Sequence, residues 1–514
     1  MKKSLWLLIL LLVLGAWLRF NRLSELLYFN MDEERDAFIV KRILVNHHFT
    51  LIGGAIPGGI YLGPAFYYLT SLPFLISKLN PVGLGIAAST LGVFSIWLIF
   101  KVGEKLFNYK VGLIAAALFS SSYLMIVYNR HFWPLTPAPI ASLLTVFSLY
   151  QIIKKKFLYC FLLAGALILG IQSDASNLTL LLLTIICWWV YRLPIRRKEV
   201  ILAIILVVFS HLPLVFFDLR HDFLNSKAII RLLSFRGERV GQVSIEGFKN
   251  ILTLLPDTFS RLIYTFGDRD VSRQLAPCSK YVQIRNGAVP KVLFIFSSLI
   301  LIFWIYKGLW LKKTDKEKAG LKIISLLIII TFTSVVLFNL FFPAYIREYF
   351  ISVLFPIFIL IQALTLESYL LKKSVILTSI FILILMFFNT RAVLTTTNFL
   401  GQNNKTEAIN YSLQDFGNEP FFVESLSSCF RYNGIRYLFY LAGNEPANSF
   451  MDSYYTWLYD NKPLNQVPSK GAVFVSLDKN ETPDFWQQYS LYLPKTTARK
   501  QFGGIEVFII DNEK

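Results

Sequence analysis

Apolar stretches recur at about residues 5–20, 82–100, 111–128, 134–153, 157–172, 177–191, 199–217, 291–306, 321–341, 349–366 and 374–389, separated by short hinges rich in lysine and arginine. A helix needs roughly 20 apolar residues to cross a bilayer, and about 17 are enough. The pattern therefore predicts eleven crossing helices. The stretch 61–79 is apolar too, but Pro64 and Pro73 interrupt it, and proline breaks a helix by removing a donor and crowding the preceding turn. Counted as a span, it would put Lys154–Lys156 and Arg196–Lys198 on the outer side. Read as a helix dipping into the outer leaflet, it leaves the hinges 101–110, 154–156, 192–198, 307–318 and 372–373 all on one side. The positive-inside bias makes that side cytoplasmic. The expected layout has the N-terminus inside and the C-terminus outside, in a cell membrane.

Two ends of the chain refine this. Met1-Lys-Lys before the first stretch resembles a signal peptide, but Arg19, Phe20 and Arg22 follow instead of a small-x-small site. An uncleaved anchor is expected. After Thr390 the apolar runs stop, and 421–424, 472–477 and 506–510 read as short strands with helical stretches between them. The fold class predicted is a mainly α, polytopic membrane protein, residues 1–390, followed by a small outer α/β domain, residues 391–514. No internal repeat or low-complexity segment is visible.

Composition agrees with the bilayer. Hydrophobic residues make up 55% of the chain and mean hydropathy is +0.54, above the roughly 45–50% apolar content of soluble domains. The net charge of +19 sits in the hinges and forms no stripe along a helix, which speaks against nucleic acid as a partner. Cys160 and Cys187 fall in apolar stretches, Cys278 in a long loop and Cys429 near the end. This spacing suits neither a metal site nor a disulfide framework, although a Cys278–Cys429 bridge stays open.

The outer face collects the unusual polar segments: 21–60, 128–134, 172–176, 218–290 and 342–349. The densest is Asn30-Met-Asp-Glu-Glu-Arg-Asp36, close behind the first apolar stretch. Asn30 and Glu33 fit a capping box, with helix continuing to about Asn46. Asp32, Glu33 and Asp36 then lie in the first turns, where like charges repel by a few tenths of a kcal/mol per pair and the positive helix end offsets part of that. In the plainer reading this is ordinary helix-start acidity with Arg35 as partner. In the functional reading a carboxylate held at the membrane surface acts as general base on a lipid-borne substrate. The same three carboxylates could hold Mg²⁺ or Mn²⁺ through oxygen, although no cofactor is expected. Asp174 reads as a cap for the next helix, and His131 and His221 as surface groups.

Asp32-Glu-Glu-Arg-Asp-Ala37 followed by Gly58-Gly-Ile-Tyr-Leu-Gly-Pro64 and Tyr67-Tyr68 resembles the first outer loop of C-type membrane glycosyltransferases, nearest the protein mannosyltransferase and aminoarabinose transferase group. Arg130-His-Phe-Trp-Pro134, Phe217-Asp-Leu-Arg-His221 and Arg347-Glu-Tyr349 with Pro356 resemble later outer segments of that group, in order, up to about residue 390. The resemblance implies transfer of a sugar from a polyprenyl-phosphate donor to an acceptor (protein, lipid or polysaccharide) at the outer face. By the same resemblance Asp32 is the base, with Glu33 as fallback, and Arg347 and Tyr349 hold the donor phosphate. The aminoarabinose branch carries a lysine where this chain has Leu62-Gly63-Pro64, so phosphate binding would draw on Arg130, Arg220 or His221, with Tyr61 alongside. A leaving phosphate needs fixed cations where its charge develops, and arginine grips two of its oxygens at once. The competing readings are a glycolipid transporter or flippase and a degenerate binding scaffold. Transporters place ionisable groups within their spans, whereas the spans here are almost free of charge.

Overall fold

The computed structural model describes residues 2–56, 58–234, 245–267, 269–275, 289–311, 318–341, 346–417, 419–427, 433–460, 462–477 and 482–512. Lys2–Phe20 forms α1, Leu23–Leu26 the short α2, Met31–Leu44 α3 and Ala65–Ile76 α4. Then come α5 (Val82–Leu106), α6 (Tyr109–Ser121), α7 (Tyr123–Tyr128), α8 (Ala138–Ile153), α9 (Tyr159–Ile171) and α10 (Leu178–Tyr191). The limb α11 (Lys198–Ser210) and α12 (Leu212–Arg220) is followed by α13 (Leu224–Leu233) and α14 (Ile245–Ile263). Three more long helical segments, Lys291–Leu309, Ala319–Phe341 and Val375–Leu394, and a composite one over Glu348–Leu371 complete the bundle.

Each of the eleven expected spans is helical, yet among the described residues six are long and apolar enough to cross a membrane by length and composition. The other five fall in shorter apolar helices, and the sequence shows why for two of them. At Ser122 the backbone turns out of the α region (φ −55°, ψ 116°) and splits α6 from α7; the Ser122 hydroxyl donates to the Leu262 carbonyl at 2.9 Å. Pro134, Pro137 and Pro139 lead into α8 and delay its start. At 12 residues with Pro73 inside, α4 is too short to cross.

Hydrogen bonds from loops to one another and to nearby helices fix which segments lie together. Gln172 accepts from the Ala65 amide (3.3 Å) and donates to the Ser210 carbonyl (2.9 Å). The Tyr61 amide donates to Asn225 (2.7 Å), Asn250 to the Ile346 carbonyl (2.8 Å), and Asn398 to the Leu26 carbonyl (3.1 Å). By alternation, the basic hinges at 101–110, 154–156, 192–198 and 372–373 belong to the opposite end.

Two arginines near α1 are buried as structural fasteners. Arg19 donates to Asn129 (3.0 Å) and to the Gly15, Ser120 and Phe119 carbonyls. Arg130 donates to the carbonyls of Leu18, Arg19 and Asn21 at 2.6–3.2 Å.

The C-terminal α/β region holds a five-stranded sheet in the order β4 (Asn448–Ser449), β3 (Phe422–Leu426), β5 (Lys470–Ser476), β7 (Ile505–Asp511), β6 (Thr496–Phe502). β3 runs parallel to β4 and β5, and β7 antiparallel to β5 and β6. The three expected strands are β3, β5 and β7. β6 (TTARKQF) escaped notice because an edge strand with one solvated face has too few apolar positions to alternate. β1 (Ala55–Ile56) and β2 (Ile60–Tyr61) form a hairpin between α3 and α4. Cys160 and Cys187 are free and buried; Cys278 and Cys429 lie outside the described residues, as do residues 342–345 of the last polar segment.

Candidate functional site

The site grows from the N-terminal turn of α3. The Asn30 side chain accepts from the Asp32 amide at 3.0 Å and from the Glu33 amide at 3.4 Å, and Glu33 Oε2 accepts from the Asn30 amide at 3.0 Å. This is the expected capping box, and the helix ends at Leu44, two residues earlier than expected. The five neighbouring charges are then split between a local cluster around Arg35 and two distant partners. The Asp32 side chain stays 61% exposed and meets Arg35 at 3.1 Å. Arg35 also pairs with buried Asp36 at 2.8 Å, and Tyr67 donates its hydroxyl to Asp36 at 3.2 Å. The plainer reading of Arg35 as local partner is thus realised in the geometry.

Glu33 is buried, and its Oε1 lies 2.6 Å from His131 Nδ1. The Tyr28 carbonyl is 3.2 Å from the same nitrogen. Both neighbours are acceptors, so Nδ1 carries the proton and donates. His131 is buried at 2% exposure, which corrects the expectation of a surface group. The Tyr28 ring lies 6.5 Å from the imidazole.

Glu34 faces the other way and accepts from the Tyr437 amide at 2.8 Å. Burial pushes its carboxyl up to about 7, against the pull of Arg436 and Lys405. Burial likewise raises Asp36 to about 6, offset in part by Arg35. Lys405, on the C-terminal helix Gln402–Phe416, is driven down to about 7 by burial, while Glu33 and Glu34 oppose the shift. Its ammonium donates to the Phe29 and Asn433 carbonyls.

A second polar cluster lies in the segment entering Glu348–Leu371. Arg347 is buried at the start of a 3₁₀ turn, Glu348–Leu354. Glu348 accepts from Tyr128 at 3.3 Å and pairs with Arg261 of α14 at 3.3 Å. Tyr349 stacks on Phe350 and meets the edge of Trp133 at 5.3 Å. Trp133 lies 4.8 Å from His131, so Glu33, His131, Trp133 and Tyr349 form an unbroken run of contacts between the two clusters.

The remaining candidates go elsewhere. Tyr61 on β2 packs on Phe217 at 5.4 Å, and His221 stacks on the same ring at 4.2 Å. Arg220 is exposed beside them at the end of α12. Arg130 is spent on three backbone carbonyls, so the structure does not bring it to either cluster. Asp174 caps the turn Ala175–Asn177 by accepting from the Ser176 amide at 2.8 Å. Among the described residues, no three His, Cys, Asp or Glu side chains converge to hold a metal. Asp32 and Asp36 share Arg35, while Glu33 turns away to His131. Sequence reasoning missed Arg261, Lys405 and Tyr437; Arg261 stands in an amphipathic helix, Lys405 in a polar one and Tyr437 in the apolar helix Ile435–Leu441, and nothing local marks their distant partners.

No protein-family model matches the chain, and no curated protein does. Solved structures do. The chain is similar to the Archaeoglobus fulgidus oligosaccharyltransferase in complex with Zn and sulfate, at 12% identity over 91% of this chain and 67% of that one, with a TM-score of 0.52. It is equally similar to the AglB oligosaccharyltransferase of that organism in complex with an inhibitory peptide and a dolichol-phosphate: 12% identity, 91% and 69% covered, TM-score 0.52. A looser likeness, TM-score 0.45 and 10% identity over 98% and 97%, extends to ArnT from Cupriavidus metallidurans bound to undecaprenyl phosphate. The two oligosaccharyltransferase likenesses show the fold, which is of the GT-C type. At such identities it assigns no residue a role.

Proposed function

We propose that this chain is an integral membrane glycosyltransferase that moves a sugar from a polyprenyl-phosphate donor to an acceptor hydroxyl, with Asp32 as the proton acceptor. The observation that carries the reading is the contrast within one helical turn. Glu33, Glu34 and Asp36 are buried, while Asp32, paired with Arg35, keeps its side chain 61% exposed. An acceptor hydroxyl is a weak nucleophile, and a carboxylate in reach takes its proton as the oxygen bonds the anomeric carbon. The bond from that carbon to phosphate breaks, and the lipid phosphate leaves with the electron pair. Arg347, with Tyr349 beside it, is the group proposed to meet the charge growing on the leaving oxygen. The dolichol-phosphate bound by AglB supports a lipid-phosphate ligand for this fold.

Glu33 is tied up by Asn30 and His131 and serves as a positioning group, not as the base. The reaction as proposed assigns its proton and charge transfers to Asp32 and Arg347 and calls on no cofactor. The α3 end of the bundle faces outward, the basic hinges face the cytoplasm, and residues 391–514 form the outer domain. The donor sugar is a hexose or pentose. Purified protein in nanodiscs, offered a panel of polyprenyl-phosphate hexoses and pentoses with the products followed by mass spectrometry, tests the reading. Turnover of at least one donor is expected. Failure of the whole panel, with transport of a glycolipid in proteoliposomes, would replace the reading with the transporter class.

A further inference from the structure

Lys405 lies some 370 residues from α3, on a helix whose sequence, QNNKTEAINYSLQDF, reads as a solvated surface. It is nevertheless fully buried. Its ammonium makes a short bond to the Phe29 carbonyl, the residue before the N-cap of α3, and a 2.6 Å bond to the Asn433 carbonyl. Its charge also lies over the Tyr28 ring, 5.3 Å from the centroid. One residue on, Gly434 adopts φ +65°, and a Cβ there would fall 2.8 Å from Phe29 O and 3.0 Å from Asn30 O. Only glycine allows the chain to pass so close to the cap at that φ.

The same face is gripped at further points along α3. The Tyr437 amide donates to Glu34 at 2.8 Å. Phe38 packs edge-on to Tyr437 at 5.1 Å and on Tyr459 at 5.3 Å. Lys41 pairs with Asp460, and Arg42 donates to the Trp457 carbonyl at 3.2 Å. An exposed side chain on a short helix turn gains a fixed direction only if the turn itself is held.

We infer that the C-terminal α/β region braces the first turn of α3, with Lys405 as the positioning residue that ties Phe29, and so the cap before Asp32, to the 433–434 turn. The inference rests on the reading of α3 as the proton-accepting helix for its catalytic consequence, though not for the brace itself. A buried ammonium that loses either carbonyl leaves a polar group unsatisfied, and a carbonyl that loses the ammonium is left likewise. Removing Lys405 therefore frees both strands of the contact at once.

Full-length Lys405→Met and Glu34→Gln in nanodiscs test this by hydrogen exchange, donor binding and turnover measured on the same samples. Lys405→Met should speed amide exchange over residues 28–38 by about tenfold or more, the worth of a charge-assisted hydrogen bond, with α8 unchanged. Turnover should fall by about tenfold or more while donor affinity holds within about twofold, because the Lys405 ammonium contacts Phe29, Asn433 and Tyr28 and neither Arg347 nor Tyr349. Glu34→Gln keeps an acceptor for the Tyr437 amide but removes the charge near Lys405, so the same changes should be smaller. If Lys405→Met does not assemble, Glu34→Gln decides by the same exchange measurement. Unchanged exchange over 28–38, or a rise spread evenly over the chain, overturns the brace. Faster exchange there with wild-type turnover overturns the positioning role. A wild type that turns over no donor refutes the enzymatic reading alone, since exchange still decides the brace.

Discussion

α3 and the α11–α12 limb reverse the usual relation between polarity and burial. In α3, Glu33, Glu34, Asp36 and Lys41 are buried, Glu34 completely. In α11, Ile204, Ile205, Val208 and Phe209 are all exposed, Ile205 by 54%. Both helices obey one rule with different solvents. The limb is apolar along its length and presents its side chains where lipid is the solvent, so exposure costs nothing. The charges of α3 are buried against partners chosen one by one, which carries a desolvation cost that hydrophobic residues would avoid. In a membrane protein, an apolar exposed helix signals surroundings, and a charged buried helix signals a site.

The sharpest test of that contrast is Asp32→Asn. Asparagine caps and begins helices well, and the Asp32 side chain is mostly exposed, so the fold should persist in detergent with unchanged elution. Loss of a general base typically costs about 10²–10⁴ in rate, and donor turnover should fall in that range with donor affinity unchanged. Wild-type turnover in this variant would leave α3 as a buried structural helix and erase the distinction.

Next in size is the converse change, Ile205→Lys in α11. On insertion scales isoleucine contributes about −0.3 to −0.6 kcal/mol and lysine about +2.5 to +3.5 at a helix centre. The substitution should disfavour insertion by about 3–4 kcal/mol, read as the inserted fraction of the limb in a translocon assay. Full insertion would mean that Ile205 faces water and that the limb is not lipid-bathed.

Legibility in the sequence divides along the same line. The eleven apolar segments and the α3 cap could be read directly, because hydropathy and capping are local properties. The strands β3, β5 and β7 were visible for the same reason. The Glu33–His131 pair, the Lys405 contacts, the Tyr437 amide and the Arg261–Glu348 pair were not. Each joins residues tens to hundreds of positions apart, and nothing local marks Lys405 within a polar amphipathic helix as buried. Arg130 shows the opposite failure: its segment matched a motif, but its guanidinium closes carbonyls at the α1–α2 turn.

The smallest effect expected separates two arginines at the same end of the bundle. Arg347 is buried beside the Glu348 and Tyr349 cluster, and Arg220 is exposed at the tip of the limb, next to Phe217 and His221. If the leaving phosphate is met in the second cluster, Arg347→Ala should weaken donor binding and slow turnover together. A hydrogen bond to a charged group is worth about 1.5–3 kcal/mol, or roughly 10–150-fold. Arg347→Lys should restore only part of this, since an ammonium lacks the planar fork that spans two phosphate oxygens. Arg220→Ala should leave both quantities within about twofold, because an exposed cation is screened by water and salt. Donor affinity and turnover for the three variants in one nanodisc preparation settle the matter. A large loss from Arg220→Ala with none from Arg347→Ala would move the phosphate to the Tyr61, Phe217 and His221 cluster, and would turn the tip of the lipid-bathed limb into part of the site.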